Sequence, residues 1–184
     1  MNKTYLISIP LIFILFISGI FLLNLNYEEK ESLIVSDIPL FELQTLQKRK
    51  IDQNIFEEGE FKLINVWATW CINCKLEHGF LMNLKNQDIK IIGLNYKDDL
   101  EKAKKWLIQF GNPYYENVFD PLGDLGFELG VAGAPETYLV SKKNKILVKH
   151  IGIMNDKIWF DKFQSFLNDQ SNLVFNFFPF TIFW

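Results

Sequence analysis

The alternation of apolar and polar positions divides the chain into one long uncharged run, a series of short apolar blocks separated by polar turns, and an aromatic tail. From Thr4 to Tyr27 no residue is charged, and Tyr5 to Leu23 is almost entirely Ile, Leu and Phe. At about 1.5 Å per helical residue, such a run reaches the roughly 30 Å of a hydrocarbon core. The stretch Ser18 to Leu23 offers no small-x-small cleavage site, so the pattern predicts a retained membrane anchor over residues 1–27 rather than a cleaved signal. Lys3 precedes the run while Glu28, Glu29 and Glu31 follow it, which predicts a cytoplasmic amino end and an exported body.

The blocks that follow predict a globular domain over residues 28–170. Ile38 to Leu43 alternates, with Pro39 near its start, as an edge strand would. Lys48 to Glu60 is polar and predicts a loop with a short helical turn. Phe61 to Val66 and Ile89 to Leu94 read as buried strands. Between them Leu76, Phe80, Leu81 and Leu84 recur at helical spacing. Asp98 or Asp99 is placed to cap a helix over Leu100 to Phe110, on which Ala103, Trp106, Leu107 and Phe110 share a face. Strand-helix-strand-helix order implies a parallel pair joined by a crossover. Tyr114 to Phe119 predicts a short strand, and Thr137 to Val140 with Lys145 to Gly152 predicts an antiparallel hairpin. Ile158 to Leu167 predicts a closing helix with Trp159, Phe163 and Phe166 inward. Residues 171–184 are apolar, too short to span a bilayer, and interrupted by Pro179.

The candidate chemistry lies where the first buried strand feeds its helix. Cys71 and Cys74 are the only cysteines among 184 residues, Cys71 at the helix mouth and Cys74 one turn inside. A thiolate is stabilised by the dipole and free amides of a first helical turn, so Cys71 is expected to be the nucleophile. Cys74 lies on the same helix face and can attack the mixed disulfide that Cys71 forms with a partner, releasing the partner's sulfur. Two blander readings compete. Cys71, Cys74 and His78 could ligate a metal from one face, although a closed zinc site takes four ligands and the other histidine, His150, is far away in sequence. The thiols could also be inert and buried. Trp70 directly before Cys71, in a strand-turn-helix setting, favours redox chemistry. The net charge of −3 arises from nearly balanced acids and bases, with no basic block interleaved with aromatics, which argues against a nucleic-acid partner.

The entry strand Ile38-Pro39-x-Phe41-x-Leu43, Trp67-Ala68-x-Trp70-Cys71-x-x-Cys74-x-x-Glu77-His78, Gly93-x-Asn95-Tyr96-Lys97-Asp98, Gly111-Asn112-Pro113-Tyr114 and Gly130-Val131-x-Gly133-Ala134-Pro135-Glu136-Thr137 together resemble the membrane-anchored DsbE/CcmG family of cytochrome c maturation. The resemblance covers about Ile38 to Trp159 and departs at Gly79, where many relatives carry proline, and at Ile72-Asn73 between the cysteines. It implies an α/β thioredoxin-like fold, a central mixed sheet flanked by helices, behind an N-terminal transmembrane helix. It implies a single-pass protein of the bacterial inner membrane with its catalytic domain in the periplasm. Its activity would be reduction of disulfides in apocytochrome c, or in another cytochrome c maturation thiol protein, with a membrane electron donor of the DsbD or CcdA type. No cofactor or metal is implied beyond the redox-active Cys71–Cys74 disulfide. Pro135 would be a cis-proline facing the cysteines, Ala134 would offer backbone hydrogen bonds to a partner chain, and Trp70 and Thr137 would complete that groove. Glu136 and Glu77 would lie near the cysteines and carry the proton that moves as Cys74 ionises, Glu136 being the favoured one. Two other functions remain open on the residues alone: a general exported oxidant, and a tethered thioredoxin-fold module that binds without catalysis.

Overall fold

The computed structural model describes residues 12–20, 36–56 and 61–167. It forms two units, residues 1–32 and 33–184. In the first, residues 12–20 make a helix, α1, whose Ile, Leu and Phe side chains are exposed. Among the described residues no helix is long and apolar enough to cross a membrane. The remainder of the expected anchor, and the tail over 171–184, lie outside the described residues.

The second unit is built on an eight-stranded sheet: β1 (Ser36–Asp37), β2 (Glu42–Thr45), β3 (Lys50–Asp52), β4 (Lys62–Trp67), β5 (Lys90–Tyr96), β6 (Glu116–Asp120), β7 (Glu136–Val140) and β8 (Lys145–Ile151). Their order is β1-β8-β7-β4-β5-β6-β2-β3. β4 is parallel to β5, and β5 to β6, while β7 runs antiparallel to β4 and β8 to β7. The mixed sheet and the hairpin follow the sequence pattern.

The helices α2 (Ile72–Asn86) and α3 (Leu100–Phe110) contribute to one core, and a short α5 (Asp156–Ile158), none of whose own residues is buried, follows β8. α5 continues into a π-helical turn over Trp159–Gln164. Leu81, Leu84, Ala103, Leu107 and Phe163 pack there with Leu63, Trp67 and Leu139. The opposite face buries Ile64, Val66, Tyr138 and Val140 with Phe56 and with Leu125 of α4 (Asp124–Glu128). Successive strand residues alternate between the two faces, which is why odd positions of β4 and β7 join the first core and even positions the second.

Three expectations are corrected. Ile38 to Leu40 is not strand: Pro39 has no amide to give a ladder, β2 begins only at Glu42, and β2 lies inside the sheet between β6 and β3. The polar Lys48 to Glu60 segment contains β3, which pairs with β2. Leu76 does not point inward; it is 66% exposed, and the buried face of α2 is Cys74, Glu77, His78, Leu81 and Leu84.

Candidate active site

The site grows from the carboxyl end of β4. After Trp67 the chain turns through Ala68, Thr69 and Trp70, with Cys71 N–H donating to Ala68 O at 3.2 Å. Cys71 is the N-cap of α2: its backbone is extended, and its Sγ accepts the Cys74 N–H at 3.0 Å. This is the contact an ionised sulfur at this position needs. Cys71 and Cys74 are joined as a disulfide, with Cα atoms 5.3 Å apart. The sulfurs are sheltered, Cys71 7% and Cys74 3% exposed, but the rim is apolar and open. Trp70, Ile72 and Leu76 are all more than half exposed.

The turn before Cys71 is tied to the loop after β5. Asp98 accepts from Thr69 N–H and from the Thr69 hydroxyl, both at 2.6 Å. The same carboxylate accepts from Asn95 Nδ2 at 2.9 Å and from Asp99 N–H at 2.8 Å. Trp70 Nε1 donates to Lys97 O at 3.0 Å, so the exposed indole is held at its polar edge. Of the two acids the sequence left open as a cap, Asp99 caps α3, accepting from Glu101 N–H and Lys102 N–H. Asp98 is thereby free to hold the cysteine-bearing turn.

Behind the disulfide a polar row crosses the sheet. In register, Asn65 of β4 faces Thr137 of β7 on one side and Gly93 of β5 on the other. Asn65 Nδ2 donates to Glu77 Oε1 at 2.8 Å and to Thr137 Oγ1 at 3.1 Å, while its Oδ1 accepts the Tyr114 hydroxyl at 2.9 Å. Glu77 Oε2 accepts the Met154 N–H at 2.8 Å. Gly93 is required by space: a Cβ there would meet Tyr114 Cγ at 2.7 Å and Trp67 Nε1 at 2.9 Å. Trp67 is wholly buried, its ring 5.4 Å from that of Tyr114 and 5.2 Å from that of Trp106.

Glu77, one helical turn beyond Cys74, is 1% exposed. Burial pushes its carboxyl up from the usual 4.5 to about 7, against the pull of the Met154 and Asn65 donors. Burial, with the neighbouring Glu77 charge, also pushes the Tyr114 phenol well above its ordinary value and keeps it a donor. Glu136 lies elsewhere. It pairs with Val66, on the sheet face of Tyr138 and Val140, away from the core that holds the cysteines. Its carboxylate is taken up by Ala132 N–H at 2.7 Å, Gly133 N–H at 3.1 Å, the Tyr138 hydroxyl at 2.7 Å and the Lys149 ammonium at 3.1 Å. Glu77 thus shares the cysteines' side of the sheet, while period-two alternation in β7 sends Glu136 to the other.

The Ala134–Pro135 peptide is cis, Pro135 is buried, and Pro135 O accepts the Gly152 N–H at 2.9 Å. His78 Nε2 lies 3.1 Å from Phe110 O, with its ring edge-on to Trp106, and burial lowers its pKa. Among the described residues no three His, Cys, Asp or Glu side chains are grouped to hold a metal. No site role for Asn65 or Lys149 follows from the sequence alone, where Tyr114 figures only as the end of a motif and the start of a predicted strand. A polar residue inside the apolar run Phe61 to Val66 was the available signal for Asn65, because a buried amide needs partners.

The Redoxin family model matches residues 35–167 of the chain. Thiol:disulfide interchange protein DsbE of Yersinia pestis is 42% identical over 164 residues, covering 84% of this chain and 87% of the relative. The protein of the same name from Vibrio cholerae is 44% identical over 169 residues, covering 86% and 91%. The chain belongs to the DsbE family of thiol:disulfide interchange proteins. A crystal structure of a DsbF homologue from Corynebacterium diphtheriae superposes with a TM-score of 0.64 at 16% identity, over 76% of this chain and 95% of that one, and shares the thioredoxin-like fold. As a DsbE family member with a Cys-x-x-Cys pair, the protein is a thiol-disulfide oxidoreductase.

Proposed function

We propose that this DsbE family protein is a bilayer-tethered reductant working in the periplasm. It keeps the haem-binding cysteines of apocytochrome c, or those of another cytochrome c maturation thiol protein, in the dithiol state. The Cys71 thiolate attacks one sulfur of the target disulfide, forming a mixed disulfide and releasing the other target sulfur as a thiolate. Cys74, deprotonated in turn, attacks Cys71 Sγ; the second target thiol leaves and the Cys71–Cys74 disulfide closes. Two electrons and two protons pass to the target, and a membrane dithiol donor of the DsbD or CcdA type returns them. Haem attachment requires free thiols, so a reductant in an oxidising compartment has a chemical purpose.

The observation that carries this reading is that one helix holds both a Cys71 sulfur at its N-cap and, one turn beyond Cys74, the buried Glu77 carboxyl. A carboxyl titrating near neutrality can take the Cys74 proton and return it. Trp70, Ala134 and Pro135 form the groove for the partner chain, and Glu136 holds the loop that carries Ala134. Thr137, fully buried against Asn65, lies behind the groove and not in it. The uncharged run from Thr4 to Tyr27 supplies the tether.

A Cys74→Ala variant expressed in the full chain tests the proposal. It is expected to retain apocytochrome c or a maturation thiol protein as a covalent adduct through Cys71. An adduct pool of unrelated exported proteins supports the general oxidant instead. Unimpaired cytochrome c assembly with both cysteines changed to serine supports the non-catalytic module.

A further inference from the structure

Lys149 lies on β8, outside every motif noted in the sequence. Its side chain is 14% exposed, and its ammonium donates to Gly130 O at 2.6 Å while pairing with Glu136 at 3.1 Å. Glu136 holds the amides of Ala132 and Gly133, and the Tyr138 hydroxyl reaches both Glu136 and, at 3.3 Å, Leu129 O. Four of the five residues from Leu129 to Gly133 therefore have a backbone group fixed to one small hub. That segment leads directly into Ala134 and the cis bond to Pro135. A fully buried carboxylate is stable only when paired and hydrogen-bonded, and Lys149 supplies the opposite charge.

We infer that Lys149 is a positioning residue for partner docking: through Glu136 and Gly130 it fixes the backbone that leads into Ala134, where an extended cysteine-containing chain pairs. This rests on the groove described under the proposed function. The ammonium touches neither sulfur, so its effect falls on recognition of the partner and not on sulfur chemistry. Misplacing a docking strand by about an ångström can cost up to about a hundredfold in productive encounter.

The test uses the full chain with Lys149→Met, Lys149→Arg and the charge-neutral Lys149→Met/Glu136→Gln pair, reducing a disulfide-bonded Cys-x-x-Cys peptide with dithiothreitol as electron source. For Lys149→Met the KM for the peptide is expected to rise about tenfold or more while kcat changes less than about twofold, with Lys149→Arg close to wild type. Hydrogen exchange at the Ala132 and Gly133 amides is expected to accelerate in parallel. The double variant, which leaves no buried unpaired charge, reports the same KM rise if Lys149→Met does not fold. An unchanged KM in the folded variants, a loss confined to kcat, or an arginine variant as impaired as methionine overturns the role of Lys149. A wild-type protein that exchanges with dithiothreitol yet ignores the peptide overturns instead the groove itself.

Discussion

Asp98 and Thr69 are joined twice, through the Thr69 amide and through its hydroxyl, so one carboxylate after β5 fixes the turn that delivers Cys71 to the start of α2. The two residues are 29 apart in sequence, and the link makes the geometry of the cysteine turn depend on the β5–α3 loop. Hydrogen bonds to a charged acceptor contribute about 1.5 to 3 kcal/mol, and their donors suffer when the acceptor goes. Asp98→Ala is therefore expected to lower unfolding free energy by about 2 kcal/mol in urea titration. It is also expected to slow reaction of reduced Cys71 with alkylating reagents, because the turn no longer presents the N-cap sulfur to the Cys74 amide. Unchanged alkylation in a folded variant would disprove the positioning role of Asp98.

Glu77 gives the protein a pH dependence of definite sign. Its folded value near 7 lies above the ordinary 4.5, so between those limits the native state holds more proton than the unfolded chain. Stability from this group is present below pH 4.5, declines as the pH rises to about 7, and stays lost above it. The full effect is about 3 kcal/mol at roughly 1.4 kcal/mol per unit, for a side chain with almost no solvent to screen it. His78 works in the opposite direction, since its lowered pKa costs stability as the pH falls through and below its ordinary 6.5. The measurement is thus the difference between wild type and Glu77→Gln, in denaturant titrations of the disulfide form at pH 5 and pH 8. The wild type is expected to lose stability relative to the variant on going from pH 5 to pH 8. A flat difference would mean that Glu77 is ionised throughout, and would remove it as the proton carrier for Cys74.

How much of this was legible beforehand divides along physical lines. β4, β5, α2 and α3 were readable because each buries a continuous apolar run or one helical face. β3 was not, because Lys50 to Asp52 carries one buried residue and takes its strand character from pairing with β2. Leu76 was misassigned for the converse reason: spacing marks it as core, but Glu77 and His78 occupy the inward arc of α2 and leave Leu76 on the rim. Helical spacing alone does not separate Glu77 from a solvated helix residue, since the groups that satisfy its buried carboxyl, the Asn65 amide on β4 and the Met154 N–H 77 residues away, are brought to it only by the tertiary fold. Motif membership favours Glu136 in the sequence, but it says nothing about which face of a strand a side chain takes. That choice is set by the β7 register against β4.

The rim explains why exposed apolar residues surround sheltered sulfurs. Trp70 is 55% exposed yet fixed by its indole bond to Lys97 O, and Leu76 stands one turn further along α2 than Ile72. A partner chain that covers them gains apolar burial, and the immobilised ring loses little freedom on binding. Trp70→Ala is therefore expected to cost no more than about 1 kcal/mol of folding stability, because the ring is largely in solvent and one hydrogen bond is lost. Its effect on recognition is expected to be larger, with KM for a disulfide-bonded peptide rising about tenfold, as for a central aromatic contact at an interface. The reaction with dithiothreitol, too small to cover the rim, serves as the comparison: equal losses with peptide and dithiothreitol would assign Trp70 to the sulfur chemistry, and no loss with either would remove this rim from the partner's path.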